Sequence, residues 1–304
     1  MSEHNHKTGT AVALGFFDGL HLAHRQVLET AAAQREKGLT PCVLLFDDHP
    51  QHVLNGKTVP KLLQNEKRDG ILADMGLTAV NCSFERIRNL TPQAFVTQIL
   101  AGELRAAFVC CGYNYRFGKN GAGDAATLKN LCAACGIDVF VCPEMDFEGE
   151  PVSSTAIRRL IEHGEAEKAA RLLGRPFSFS AEVIAGDRRG RLLGTPTVNQ
   201  LLPPDLATPK YGVYVSAVRF NGKEYTGVTN IGARPTFHAP EVRSETYILD
   251  FDGDLYGKTV ETALLKYLRP VMTFDGADAL KAQIAQDVAA ARRLSDASDE
   301  NNNQ

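Results

Sequence analysis

Near residue 177 the hydrophobic period of this chain changes, and that switch limits its architecture more than any other feature. Before it, apolar runs of strand length alternate with helical patterns. TAVALGFF, PCVLLFD, LTAVNCSF, RAAFVCCGY and IDVFVCPE read as strands; HRQVLETAAAQREKG, QNEKRDGILADMG, TPQAFVTQILAGEL and AATLKNLCAACG read as helices. Gly38 stops the first helix, and Thr91 caps the third with Pro92 at its first position. Strand–helix alternation predicts an α/β fold, a parallel sheet covered by helices. Beyond the switch, FSFSAEVIAGD, GVYVSAVRF, KEYTGVTNIG, RSETYILDF and KTVETALLKYL are short strands broken by turn signals, the pattern of a small antiparallel β-barrel. ADALKAQIAQDVAAARRL follows as a closing helix, and VSSTAIRRLIEHGEAEKAARLLG bridges the halves as one or two helices. The expected division is 1–176, 177–296 and a polar, acidic, disordered tail over 297–304.

A length of 304 residues suits two domains, and 44% hydrophobic with 23% charged residues suits two modest cores. The net charge of -3 argues against a general nucleic-acid binder, which needs a basic face, but leaves room for a local phosphate site. MSEHNHKTGT lacks the apolar centre of a signal peptide. No apolar run approaches the roughly 18 residues of a membrane span. Seven cysteines, an odd number between Cys42 and Cys142, suit a reducing cytoplasm better than a disulfide framework. Cys132 and Cys135 form a C-x-x-C without the second pair a structural zinc site needs, so they are expected to be buried thiols. Oligomeric state is not written in the sequence.

In a parallel sheet, ligands bind outside the carboxyl ends of the strands. GFFDGLHLAH follows the first strand. Gly15 lets the backbone leave it, Asp18 and Gly19 make the turn, and a helix starts near His21. His21 and His24, three apart, share one face beside the unpaired N–H groups of the helix start. That arrangement suits a phosphate, although two histidines so spaced also suit a metal or a core. The second distinctive stretch is GDRRGRLLGTPTVN (186–199), whose glycines and prolines make a rigid loop able to approach phosphate closely. Thr197 and Asn199 would project together from extended backbone, offering a hydroxyl and an amide oxygen to Mg²⁺.

GFFDGLHLAH resembles the phosphate-binding H-x-G-H motif of nucleotidyltransferases, in the form seen in prokaryotic FAD synthetases. LFDDHP (45–50), CGYNYRFGKNGAGD (111–124) and VSSTAIR (152–158) resemble three further stretches of that family. The resemblance implies a Rossmann-like nucleotidyltransferase domain. It implies that His21 and His24, with Gly15, Phe16 and Asp18 around them, contact ATP phosphates. It also implies that Asn114 binds nucleotide or flavin and that Ser154, Thr155 and Arg158 hold phosphates at a second helix start. Asn114 reads equally as a turn cap, and Ser153, Ser154 and Thr155 as an N-cap cluster. Three positions depart from the family pattern: Ala23 for a glycine, Asp48 for a proline, and Pro151 where some relatives carry a basic residue.

Residues 186–199 closely resemble the G-D-x-x-G-R-x-L-G-x-P-T-A-N signature of riboflavin kinases, with YGVYVSAV, TGVTNIGARPTF, SETYILDFDGDLYG and LRPVMTFDG following in that family's order. The resemblance implies that Gly186, Asp187, Gly190, Arg191 and Gly194 hold ATP, that Thr197 and Asn199 ligate Mg²⁺, and that Glu245 is the base. Without the loop, Glu245 reads as a solvated strand glutamate. GDLYGKT (253–259) imitates a P-loop, but Asp252 occupies the first glycine position and the segment links two strands. Together the motifs resemble the bifunctional riboflavin kinase/FAD synthetase family, which implies conversion of riboflavin to FMN and of FMN to FAD with ATP. Two rival readings are a riboflavin kinase with a divergent nucleotidyltransferase domain, and a flavin-binding regulatory protein without catalysis.

Overall fold

The computed structural model describes residues 9–46, 56, 58–186, 195–234 and 241–302. The chain divides into two compact units, Met1–Val59 with Asn65–Ser154, and Pro60–Gln64 with Thr155–Gln304.

The first unit runs β1 (Thr10–Leu14), α1 (Leu22–Ala32), β2 (Thr40–Phe46), α2 (Asn65–Asp74), β3 (Thr78–Cys82), α3 (Phe84–Ile87), α4 (Pro92–Ala94), β4 (Ala106–Gly112), α5 (Ala125–Ala134) and β5 (Asp138–Cys142). A short hairpin, β6 (Asp146–Phe147) with β7 (Glu150–Pro151), follows. The five strands β1 to β5 are parallel in the order β3-β2-β1-β4-β5. Helices cover such a sheet on both faces, so a central strand reads as one continuous apolar run; Ala11 through Leu14 are all buried. α1 tightens into a 3-10 turn over Ala33–Lys37 and stops at Gly38, whose φ of 81° only glycine adopts cheaply. The Thr91 hydroxyl accepts from the Ala94 N–H, Pro92 opens α4, and the helix continues as wider π-helical turns over Phe95–Glu103. All seven cysteines are free thiols of this unit, and six are buried. Burial pushes the Cys111 and Cys132 thiols up to about 12, so they stay protonated.

The order β3-β2-β1 runs one way from β1, and β4-β5 runs the other. This reversal opens a crevice at the carboxyl ends of β1 and β4. The segments leaving those two strands, Gly15–His21 and Tyr113–Phe117, therefore flank it.

α6 (Ser154–His163) and α7 (Ala166–Leu173) lead to β8 (Phe177–Glu182), β9 (Thr197–Leu201), β10 (Gly212–Phe220), β11 (Lys223–Arg234), β12 (Glu241–Ile248), β13 (Thr259–Arg269) and α8 (Ala277–Asn302). The sheet is antiparallel, in the order β8-β13-β10-β11-β12-β9. Its two edges meet where the Ile184 N–H donates to the Asn199 carbonyl at 2.8 Å, which curls the six strands into a barrel. Inside, the Gln200 amide donates to the carbonyls of Ala181 and Val260 and accepts from the Thr262 hydroxyl, each at 2.8 Å. A second interior chain links the hydroxyls of Ser216, Thr229 and Thr246 at 2.7 and 2.9 Å. Gly227 makes room for it, since a Cβ there would lie 2.9 Å from the Ser216 hydroxyl. Outside, Val213, Val215, Val228 and Leu249 pack against Val288, Ala291 and Leu294 of α8. Buried Asp287 accepts from Arg269 at 2.8 Å and from Gln283 at 3.1 Å, fixing α8 to the end of β13.

The compact division falls at Ser154 and Thr155 rather than at 177. The two bridging helices pack on the second unit: the Lys210 N–H donates to the Ile161 carbonyl, and Lys266 pairs with Glu167 at 3.2 Å. Pro60–Gln64 also belongs there, with the Gln64 amide paired to both backbone groups of Ser180. At the carboxyl end, the tail expected to be disordered continues α8 as far as Asn302. Adding residues to an anchored helix avoids the cost of nucleation, so polar residues can extend it.

Replacing Gln200 with leucine would strand two buried carbonyls and one hydroxyl. Gln200→Leu should destabilise the second unit by about 2–5 kcal/mol, read as a lower urea midpoint by circular dichroism. An unchanged midpoint would mean that this amide does not hold the barrel shut.

Candidate active sites

Each unit holds a cavity at its motif-bearing loops. In the first, a cavity of about 520 Å³ is lined by Gly15, His21, Ala23, His24, Asn114 and Ser154, among others. The turn that builds it is conformationally costly: Phe17 (φ 54°) and Leu20 (φ 44°) are both left-handed without being glycine. Gly15 permits the turn, because a Cβ there would press on the Phe17 ring at 3.0 Å.

His21 is the N-cap of α1. Its Nδ1 accepts from the His24 N–H at 3.3 Å, which leaves Nε2 as the protonated nitrogen of the neutral ring. The His24 ring stacks on it, with centroids 3.6 Å apart and planes 17° apart. The two imidazoles thus share one helix face, as the spacing predicts. Burial, followed by the repulsion that a protonated His24 would meet from a protonated His21, holds His24 well below the ordinary histidine pKa. His24 Nδ1 is buried without a partner among the described residues. A neutral ring with an unmet polar atom beside a helix start suits an anionic ligand that brings hydrogen-bonding groups.

Phe16 and Asn114 line this cavity. Asp18 is buried, and its carbonyl accepts from the Ser154 hydroxyl at 3.0 Å, tying the β1 turn to the start of α6. Thr155 and Arg158 are not among the lining residues; both fall in the second unit, where Arg158 Nε donates to the Pro60 carbonyl at 2.7 Å. Of the three departures, Ala23 and Pro151 line the cavity, while Asp48 lies outside the described residues. Sequence reasoning did not single out the phenyl walls. Phe46 meets Phe84 at 5.5 Å and Phe95 meets Phe117 at 5.4 Å, all four lining the cavity. Such a wall suits a flat aromatic ligand. The Tyr113 hydroxyl donates to the Glu144 carboxylate, joining the loops that leave β4 and β5; that bond raises the Tyr113 pKa.

In the second unit a cavity of about 280 Å³ is lined by Gly186, Thr197, Asn199, Phe251, Asp252 and Asp254, with others. Gly186 presses against Asn199 so closely that a Cβ would lie 2.6 Å from the amide carbon. Asn199 Nδ2 donates to the Thr197 carbonyl at 3.5 Å, a long contact. Glu245 is exposed on β12 and sits directly opposite Asn199 of β9, with Tyr247 opposite Thr197. Glu245 does not line the cavity itself; it is paired with Asn199, which does. Asp187, Gly190, Arg191 and Gly194 lie outside the described residues. The P-loop imitation proves to be a wall of this cavity: it connects β12 to β13, and Asp254 turns it by accepting from the Tyr256 N–H at 2.9 Å.

No cluster of three histidine, cysteine, aspartate or glutamate side chains suited to a metal occurs among the described residues. The Thr197 hydroxyl and the Asn199 amide oxygen are neutral, hard donors on one strand face. Two such donors fit a Mg²⁺ that takes its remaining oxygens from phosphates and water.

Residues 3–156 match the FAD synthetase family and residues 173–295 the riboflavin kinase family. A Listeria monocytogenes protein described as a bifunctional riboflavin kinase/FMN adenylyltransferase is 37% identical, over 91% of this chain and 89% of its own. An Escherichia coli K12 protein of the same description is 34% identical, over 94% and 93%. A crystal structure from Streptococcus pneumoniae, described as a macrolide-efflux protein, covers 94% of both chains at 31% identity with a TM-score of 0.86. Among the described residues of this chain, no helix is long and apolar enough to cross a membrane.

His24 should remain neutral through the range where exposed histidines charge. Its folded pKa is depressed, so its contribution to stability is complete above about pH 6.5 and is lost as pH falls below that value. An NMR titration should show one histidine without an inflection near 6.5, and His24→Gln should remove it from the spectrum. An ordinary titration of His24 would contradict its burial.

Proposed function

The chain belongs to the family of bifunctional riboflavin kinase/FMN adenylyltransferases, and from that premise we infer that its two cavities divide the two reactions. The chain phosphorylates riboflavin to FMN with ATP, and joins FMN to the adenylyl group of a second ATP to give FAD and pyrophosphate. The second unit carries the first step and the first unit the second. What supports this reading is the register of β9 and β12, in which Glu245 is paired with Asn199, a residue that lines the second cavity.

In the kinase step, Glu245 takes the proton of the riboflavin 5′-hydroxyl as that oxygen attacks the γ-phosphorus of ATP; the bond to the β-phosphate oxygen breaks and ADP leaves. A base is needed because the neutral alcohol is a weak nucleophile. Thr197 and Asn199 would hold Mg²⁺, which when bound supplies positive charge to the phosphates. Gly186 keeps the Asn199 amide in place by packing against it.

In the adenylyl step, a phosphate oxygen of FMN attacks the α-phosphorus of ATP and pyrophosphate leaves. The His21 Nε2–H and the N–H groups at the start of α1 donate to the phosphates, where charge accumulates in the transition state. The β1 turn, held by Ser154, sets the direction of those donors. The phenyl walls suit the isoalloxazine ring, and Asn114 offers a carboxamide to nucleotide or flavin. The Ala23 methyl narrows the approach to the first turn of α1, where adenine would press. We place both reactions in the cytoplasm, whose reducing poise keeps seven thiols free.

Riboflavin, ATP and Mg²⁺ supplied together should yield FAD, read by separating the flavins. Glu245→Ala should slow FMN formation by about 10²–10⁴-fold and leave the conversion of supplied FMN to FAD intact. His21→Ala with His24→Ala should do the reverse. If either variant stops both reactions while remaining folded, the division of labour is wrong.

A further inference from the structure

We propose that Arg116 holds the phosphate of FMN in the first cavity and so separates FMN from riboflavin there, an inference that rests on reading that cavity as the adenylylation site. The reaction brings two polyanions together, and their repulsion must be offset before a phosphate oxygen of one can reach the α-phosphorus of the other. The stacked imidazoles supply little of that charge, because burial keeps His24 neutral. Among the described residues lining the cavity, Arg88 and Arg116 carry permanent positive charge, and Glu144 carries a negative one. Pro151, on the same lining, brings no charge.

The two arginines are not equivalent. Arg88 is paired with Glu85 at 2.9 Å. Arg116 is exposed and has no hydrogen bond or ion pair to a described residue. Asp124 feels its charge only weakly, behind the two hydrogen bonds it accepts from Thr127. The loop nevertheless fixes where Arg116 starts. Phe117 and Gly123 exchange backbone bonds at 3.1 and 2.9 Å, and the Lys119 N–H donates to the Leu90 carbonyl at 2.7 Å. Gly123 admits the Phe117 ring, since a Cβ there would lie 2.6 Å from it. Tyr115 and Phe117, the two chain neighbours of Arg116, stack with centroids 5.8 Å apart and pack on the core. An anchored backbone thus carries a cation that no described carboxylate claims.

Placement selects the phosphate. The crevice has two flanks, and the one leaving β1 offers the start of α1 and His21 to ATP. Arg116 belongs to the other, on the segment leaving β4, directly before the Phe117 ring that helps form the wall suited to isoalloxazine. One stretch of loop therefore serves both the ring of FMN and the phosphate at the end of its ribityl chain. A planar guanidinium can grip two phosphate oxygens at once and leave the third to attack. Riboflavin ends in a neutral hydroxyl and gains nothing comparable.

The test is steady-state formation of FAD from supplied FMN and ATP by the full chain, by Arg116→Ala, Arg116→Gln and Arg116→Lys, and by the His21→Ala, His24→Ala double variant. Both neutral variants should raise KM for FMN by about 10–100-fold, the range given by losing a hydrogen bond to a charged group, and leave KM for ATP within about twofold. Arg116→Lys keeps the charge without the fork and should recover part of the loss. Inhibition by lumiflavin, a flavin ring without a phosphate, should be equal in all Arg116 variants and in the parent chain. An unchanged KM for FMN in both neutral variants, or a rise in KM for ATP in its place, overturns the assignment and leaves the adenylylation site where it is. Lumiflavin inhibition that weakens in step with FMN also overturns it, because the ring wall and not a phosphate contact would then be lost. If the histidine double variant keeps the wild-type rate, the site reading falls and takes this inference with it.

Discussion

An open sheet leaves a row of unpaired backbone groups along each edge, and removing those edges is what organises the second unit. A single bridge between Ile184 and Asn199 joins the first and last strands of the six-strand order. Once β9 is fixed there, register assigns the rest: Gln200 opposite Ser244 inside, Asn199 opposite Glu245 outside. A slip of one residue would turn Gln200 outward and Asn199 inward, losing the interior amide and the outer row together. Closing the barrel and pairing Asn199 with Glu245 are thus one structural event.

The first unit solves a different problem with the same economy of parts. Its strands are paired in parallel and covered, so the sheet itself offers no room for a ligand. Room appears only where the strand order reverses, beside β1 and β4. There the chain spends conformational energy, with Phe17 and Leu20 in left-handed backbone, to aim a helix start and two stacked rings at the crevice. Strain of this kind persists only where packing over-determines it. The buried Phe17 ring over Gly15 and the Ser154 hydroxyl on the Asp18 carbonyl supply that determination.

Much of this was legible in the residues. The change of period near 177 separates a parallel sheet from a barrel, and Thr91 with Pro92 announces the start of α4 as it is found. His21 and His24 come together because His21, the N-cap, accepts from the His24 N–H three residues on, a capping geometry that the spacing allows. Other features were hidden for physical reasons. Helices α6 and α7 are strongly one-sided, but an apolar stripe does not say which unit it will cover, so the division at Ser154 was not readable. β9 is preceded by glycines and prolines that read as loop, and only pairing with β12 makes it a strand. Phe46, Phe84, Phe95 and Phe117 follow the same periodicity as core residues, and nothing in a sequence separates a phenyl that fills a core from one that lines a cavity.

The distribution of sulfur carries a consequence of its own. Every cysteine lies between Cys42 and Cys142, in the first unit, and the barrel has none. Peroxides and alkylating agents therefore find their thiol targets in one half of the polypeptide. Six of the seven are sealed in the packed interior, where only a transient opening of that half exposes them. Chemical injury of this kind would silence dinucleotide synthesis first and let the mononucleotide accumulate.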